Sequence, residues 1–279
     1  MSFYRLRRRV FLLRSRVAFF SLLCGLAVAL PLRAGAGACG GDVGGERVAC
    51  ACGDLVVSDT VLWPTDPVVS EPCTGDGLII QAPPASNGIT LNLGGQTIVG
   101  SGRGIGIRVA RGGQVGSTIL GGDEEDSRAE IARFRTGIRA SGRNALVELV
   151  GVDLSANTGD GLKLRTSGTH VEDIRSTGNG RHGAAVTGHG NEVVAVVAQK
   201  NHGDGLQVRG SGTEIDAETS GNDGDGTVIG GRGNHAASIQ STGNAGVGVK
   251  ASGRGHRIAE MKTDRNGAGA VKDRSGATR

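Results

Sequence analysis

The chain has 279 residues, 51 of them glycine and only 3% aromatic, and carries a formal charge of +4 with a pI near 9.0. Seven of its 31 basic residues and none of its 27 acidic ones precede Cys39, so the remainder sets 24 against 27, a net charge of −3. The basic pI belongs to the leader and is no argument for nucleic-acid binding. Trp63 and Phe134 are the only aromatics after the leader, which argues against a sugar cleft lined with stacking rings.

Residues 1–38 read as a signal peptide. Arg5, Arg7, Arg8, Arg9, Arg14 and Arg16 precede an apolar run at 17–30 that is short for a membrane span. Small-residue cleavage sites end at Ala36 and Ala38, and the expected location is secreted or periplasmic. An imperfect lipobox before Cys39 leaves lipid anchoring there as a minor alternative. The expected mature chain has no membrane span.

Cys39, Cys50, Cys52 and Cys73 follow close together. In an exported protein an even count predicts two disulfides, with three pairings open. Zinc fits less well, since the C-A-C spacing is tight for two ligands from one loop and no histidine lies nearby. Residues 39–87 are expected to form a disulfide-stapled cap and first strands, because a solenoid must cover its terminal apolar layer. Residues 88–279 are expected to be the solenoid proper. The glycine-rich run at 100–106 lacks a P-loop lysine and reads as a turn. Gly106 and Gly137 are 31 residues apart, and the excess holds an acidic loop at 121–127 that would either attract Ca²⁺ or lie solvated.

From there the chain repeats. Asn157, Asn179, Asn201, Asn222, Asn244 and Asn266 stand 22, 22, 21, 22 and 22 residues apart. Four residues after each comes Gly161, Gly183, Gly205, Gly226 and Gly248, then Ala270. A period in the twenties signals a stacked solenoid. Apolar residues alternate within each copy and form columns of their own. Two run through Leu162, Ala184, Leu206, Thr227, Val249 and through Leu164, Val186, Val208, Ile229, Ala251. Two more run through Val171, Val193, Ile215, Ala236, Ile258 and through Ile174, Val196, Ala217, Ile239, Met261. The short step falls between Ile215 and Ala217, which predicts one residue missing at a bend. Each copy should give two or three short strands that pair in parallel with the next coil. The asparagines are expected to take the left-handed turn conformation and to bond along a ladder, each worth on the order of 1 kcal/mol. Asp273 stands in an apolar column and no capping helix follows it, so three outcomes are open: the last coil frays, it self-associates with another chain through its uncapped edge, or the gene product is incomplete.

The repeating G-[ILV]-x-[ILV], G-[NT]-x-[VI] and N-x-x-x-G pattern resembles the right-handed parallel β-helix repeats of the pectate-lyase-like superfamily. Residues 88–100, GITLNLGGQTIVG, resemble the opening coil of its secreted bacterial members. The resemblance implies an all-β, single-stranded, right-handed parallel β-helix of about 22 residues per coil. It does not fix an activity, because that fold hosts lyases, hydrolases, epimerases, metal-delivery proteins and adhesive stalks.

Two columns could carry chemistry. One runs Glu148, His170, Glu192, Glu214, His235, Arg257 and should point outward. His170, Glu192, Glu214 and His235 would bind a metal there, or would merely form a solvated ladder of balanced charge. The other is Asp160, Asp204 and Asp225, each between glycines at a turn. The resemblance to lyases would have these hold Ca²⁺ against an acidic polysaccharide or serve as bases, with Arg165 and Arg209 supplying the arginine such enzymes need. Ordinary turn chemistry explains the aspartates equally. The leading expectation is a non-catalytic structural or binding surface at the cell envelope, with a polysaccharide or another envelope component as partner. A polysaccharide lyase or epimerase and a periplasmic metal-binding protein are the alternatives.

Overall fold

The computed structural model describes residues 37–82, 86–110, 116–122, 127–142 and 145–273. Alternating apolar residues over short runs, broken by glycine turns, favour strands over helices. Among the described residues the helix is confined to Pro67–Ser70. Every coil contributes to two parallel sheets of 11 strands each. Sheet 1 includes Ile105–Val109, Thr136–Ser141, Leu162–Arg165, Ala184–His189, Leu206–Ser211, Thr227–Arg232 and Val249–Arg254. Sheet 2 includes Leu146–Ser155, His170–Thr177, Glu192–Gln199, Glu214–Ser220, His235–Thr242 and Arg257–Asp264. The fold is an all-β parallel solenoid.

The expected columns are in register. Leu162 pairs with Ala184, Ala184 with Leu206, Leu206 with Thr227 and Thr227 with Val249, all on sheet 1. Val171, Val193, Ile215, Ala236 and Ile258 pair in the same way on sheet 2. The inner sides of both sheets close on one core, and Asp273 pairs with Ala251 as its place in the repeat requires. The missing residue also falls where the spacing puts it. Register shifts between Val193 and Val196, which oppose Ile215 and Ala217. Ala195 and Asp173 take left-handed φ values of 52° and 51° at this bend, and the coil at Glu214–Ser220 lacks that residue.

The asparagines form the expected ladder. Asn201 donates through Nδ2 to Asn222 Oδ1 at 2.9 Å and to the Ser176 carbonyl at 3.0 Å, while its Oδ1 accepts from both the backbone N–H and Nδ2 of Asn179. The pattern runs unbroken from Asn157 to Asn266. Phe134, fully buried, stands one coil before the ladder and donates its N–H to Asn157 Oδ1 at 2.9 Å.

One expectation about these residues is corrected. The left-handed conformation belongs to the residue before each asparagine: Ala156, Gly178, Lys200, Gly221, Gly243 and Arg265, with φ between 50° and 65°. The turn is completed there, which aims the asparagine N–H along the stack at the next Oδ1. The glycine column follows from the ladder. A Cβ on Gly205 would lie 2.7 Å from Asn222 Nδ2 and 2.8 Å from the Gly226 carbonyl, so no side chain fits.

Coils begin well before Gly88. Asp54–Val56 pairs with Leu78–Ile80, which pairs with Ile107 to Val109, and Thr60–Val61 pairs with Thr90–Asn92. The disulfides are Cys39–Cys50 and Cys52–Cys73. Cys39, Cys50 and Cys73 are buried; Cys39 pairs with Val56 of the next coil, while Cys73 opposes Gly100, so no aliphatic column marks these coils in the sequence. Asp66, also buried, accepts from the N–H groups of Cys50 and Trp63 and pairs with Arg47 at 2.7 Å.

Candidate functional site

Parallel stacking repeats each outward position every coil, about 4.8 Å apart, so one residue type can fill a whole stripe. On sheet 1 the stripes are basic. Arg139 pairs with Lys163, and Ser141 with Arg165. Arg165 pairs with Thr187, Thr187 with Arg209, and Arg232 with Arg254. From Leu78–Ile80 to Val249–Arg254 the strands of this sheet carry no Asp or Glu.

The aspartate turns border this sheet, and there the structure gathers the residues expected to act in a lyase. A recess of about 200 Å³ is lined by Asp160, Lys163, Arg165, Arg181, His182 and Arg209. A second, of about 450 Å³, is lined by Asp204, Gln207, Arg209, Asp225, Lys250 and Ser252. Asp160, Asp204, Asp225, Arg165 and Arg209 therefore share one grooved surface.

The aspartates also hold the turns together. Asp160 Oδ1 accepts from the His182 N–H at 3.3 Å, His182 Nδ1 from the Asp204 N–H at 3.0 Å, Asp204 Oδ1 from the Asp225 N–H at 2.9 Å, and Asp225 Oδ1 from the Val247 N–H at 2.8 Å. This is a second side-chain ladder, built from the next coil's amides. The remaining oxygens are engaged as well: Asp160 Oδ2 by Lys163 at 3.1 Å, Asp204 Oδ2 by Gln207 at 3.2 Å and Asp225 Oδ2 by Lys250 at 2.9 Å. Carboxylates bonded on both oxygens do not make the oxygen cage that Ca²⁺ requires. Asp123 to Asp126, the other Ca²⁺ candidate, lie outside the described residues.

The second expected column lies on sheet 2, in register from Glu148 to Arg257. It divides into pairs. His170 Nδ1 meets Glu192 Oε2 at 2.9 Å and its Nε2 meets Glu172 Oε2 at 3.0 Å. His235 lies 3.9 Å from Glu214. Hydrogen bonding to Glu172 raises the His170 pKa above 6.5, with Glu192 adding to the rise and partial burial opposing it. Both ring nitrogens of His170 are occupied, so it has no free lone pair for a metal. No group of three or more His, Cys, Asp or Glu able to hold a metal ion occurs among the described residues.

Sequence reasoning singled out Arg165 and Arg209 but passed over Arg139, Arg232 and Arg254. Their signal was the recurrence of cations at outward positions at the repeat spacing. A third recess, of about 480 Å³, lies in the first coils against Trp63, Val61, Arg47 and Asn92. The Arg47 guanidinium sits 3.9 Å from the centre of the Trp63 ring. Neither Trp63 nor Phe134 lines the sheet 1 recesses, so that surface offers no aromatic ring.

Fold and surface together define the class: a disulfide-stapled parallel β-solenoid with one basic sheet face. No protein-family model, no curated protein and no solved structure matches the chain.

Proposed function

We propose that this chain is an exported, right-handed β-helix of the pectate-lyase-like kind that serves as a non-catalytic binding surface at the cell envelope. The observation that carries this reading is the outer side of sheet 1, where every strand from Thr136 to Arg254 except Ala184–His189 carries a Lys or Arg and none carries an acid. Core residues are held by packing and the asparagines by their ladder, but nothing in the fold requires arginine at these outward positions. Two disulfides, one fully inside the core, suit an oxidising compartment and support export. Cell fractionation tests the location. Recovery of the mature protein from the periplasm, medium or envelope is expected, and recovery from the reducing cytoplasm with free thiols would contradict it.

A second reading rests on the shared surface of Asp160, Asp204, Asp225, Arg165 and Arg209. In it the protein is a polysaccharide lyase or epimerase, with an arginine against the substrate carboxylate and an aspartate taking the proton. The ladder bonds of the aspartates weigh against a free base, so this is the lesser reading. Incubation with uronate polymers separates the two. Release of unsaturated, ultraviolet-absorbing products would establish the lyase and overturn the non-catalytic reading, and their absence is expected.

A further inference from the structure

We infer that the outer side of sheet 1 docks flat on an anionic lipid surface, its arginines meeting headgroup phosphates; this rests on the envelope-surface reading above. Four observations lead there.

The first is the number of uncommitted cations. Arg108, Lys163 and Lys250 are neutralised at the sheet border by Asp76, Asp160 and Asp225. Arg139, Arg165, Arg209, Arg232 and Arg254 form no ion pair among the described residues, and all but Arg139 are exposed. Guanidinium forks match phosphate oxygens in pairs, which suits arginine to this task better than lysine.

The second is their layout. The five arginines fall in three parallel columns, through Arg139, through Arg165 and Arg209, and through Arg232 and Arg254. They span five coil steps, roughly 24 Å, and four residues along the strands, roughly 13 Å. A plane of headgroups meets all three.

The third is flatness. Gly188, Gly210, Gly231 and Gly253 form a further column between the cationic ones. A Cβ on Gly210 would stand 1.7 Å from the Gly188 carbonyl, and one on Gly231 1.8 Å from the Gly210 carbonyl. No side chain can rise there, so the face stays low between the arginines. None of the exposed large apolar residues, Val48, Val61, Trp63 and Val147, lies on these strands, so the contact is electrostatic without insertion.

The fourth is orientation. The strands of sheet 2 from Leu146 onward bear Glu148, Glu172, Glu192, Glu214, Glu218 and Glu260 along with four aspartates, against Arg175, Arg257 and Lys262. An anionic plane attracts one side of the solenoid and repels the other, although the chain beyond the leader is net negative.

The test is co-sedimentation of the exported protein with vesicles of phosphatidylglycerol and phosphatidylcholine, beside vesicles of phosphatidylcholine alone. Binding to the mixed vesicles only is expected, falling steeply between about 50 and 500 mM salt as screening shortens its range. R165A, R209A and R254A should each weaken partitioning about fivefold, and the triple variant about 100-fold, with no fall in melting temperature. Equal binding to both vesicle types, or a triple variant that binds as well as the parent, overturns the proposal. Binding to soluble polyphosphate or polyuronate with none to anionic vesicles also overturns it, in favour of a linear polymer. Capture by a delipidated envelope fraction without vesicle binding would sink the lipid assignment while sparing the envelope-surface reading. Turnover of a polymer would sink that reading itself.

Discussion

The two sheets are made by the same coils and share one core, yet their outer sides are opposite in charge. On sheet 1, Arg165 and Arg209 stand without acidic partners on their strands, and Arg232 stacks directly on Arg254. On sheet 2, histidines and glutamates pair with each other across coils, as His170 does with Glu192. The difference teaches which side has been left unbalanced. Like charges about 5 Å apart along a parallel stack repel, so a basic stripe is kept at some cost in stability, whereas on sheet 2 histidine–glutamate contacts offset part of the acidic excess.

Variants that strike what both sheets share should have the largest effect. Gly205→Val places side-chain carbons where Asn222 Nδ2 and the Gly226 carbonyl already lie, and should cost about 4 kcal/mol or more, read by denaturant unfolding. Asn201→Ala removes four side-chain hydrogen bonds and orphans the buried Asn179 N–H. The expected loss is about 3 kcal/mol, above the single-bond value suggested by the sequence. A loss below about 1 kcal/mol would mean the ladder is not a main support of the stack.

Sheet 1 has a fault of its own. Thr227 replaces an aliphatic residue in its inward column, is fully buried, and its hydroxyl finds no partner among the described residues. Thr227→Val should raise stability by about 1 kcal/mol, visible as a higher melting temperature.

The smallest effect lies on the outer side of sheet 2. The His170 pKa is raised in the fold, so its contribution is fully present below the unfolded value of about 6.5 and disappears as pH rises through the folded value. His170→Gln should cost about 0.5 kcal/mol or less at pH 5 and nothing at pH 9, since the pair is part-exposed. NMR titration of the ring gives the sign directly. A His170 that titrates below 6.5 would show that the Glu172 and Glu192 contacts do not persist in water.

The columns that build the core were legible because burial demands the same residue class at every repeat. The 21-residue step even located the missing bend residue next to Ile215. What the spacing did not reveal came from positions where geometry, not residue type, decides. The left-handed residue before each asparagine varies among Ala, Gly, Lys and Arg, so no column announced it. In residues 39–87 the strands Asp54–Val56, Thr60–Val61 and Leu78–Ile80 are only two or three residues long, too short for an apolar column to stand out. The aspartates at 160, 204 and 225 were recognised as a row. Their bonding to the next coil's amides depends on His182 acting as a link in the same series, which only the folded stack brings about. The basic side of sheet 1 was concealed by the net charge, because the acids that cancel it lie on the other sheet and at the turns.

Charge exchange on one sheet at a time tests the central claim most directly. Replacing Arg165, Arg209 and Arg232 by Glu, or Glu192, Glu214 and Glu218 by Lys, shifts net charge by equal amounts in opposite directions. If the face of sheet 1 is the working surface, the first set abolishes anionic-vesicle binding and the second leaves it within about twofold at moderate salt, where screening confines each sheet's field to its own side. If binding instead rises with the second set as strongly as it falls with the first, affinity follows overall charge and the account of a dedicated face is wrong.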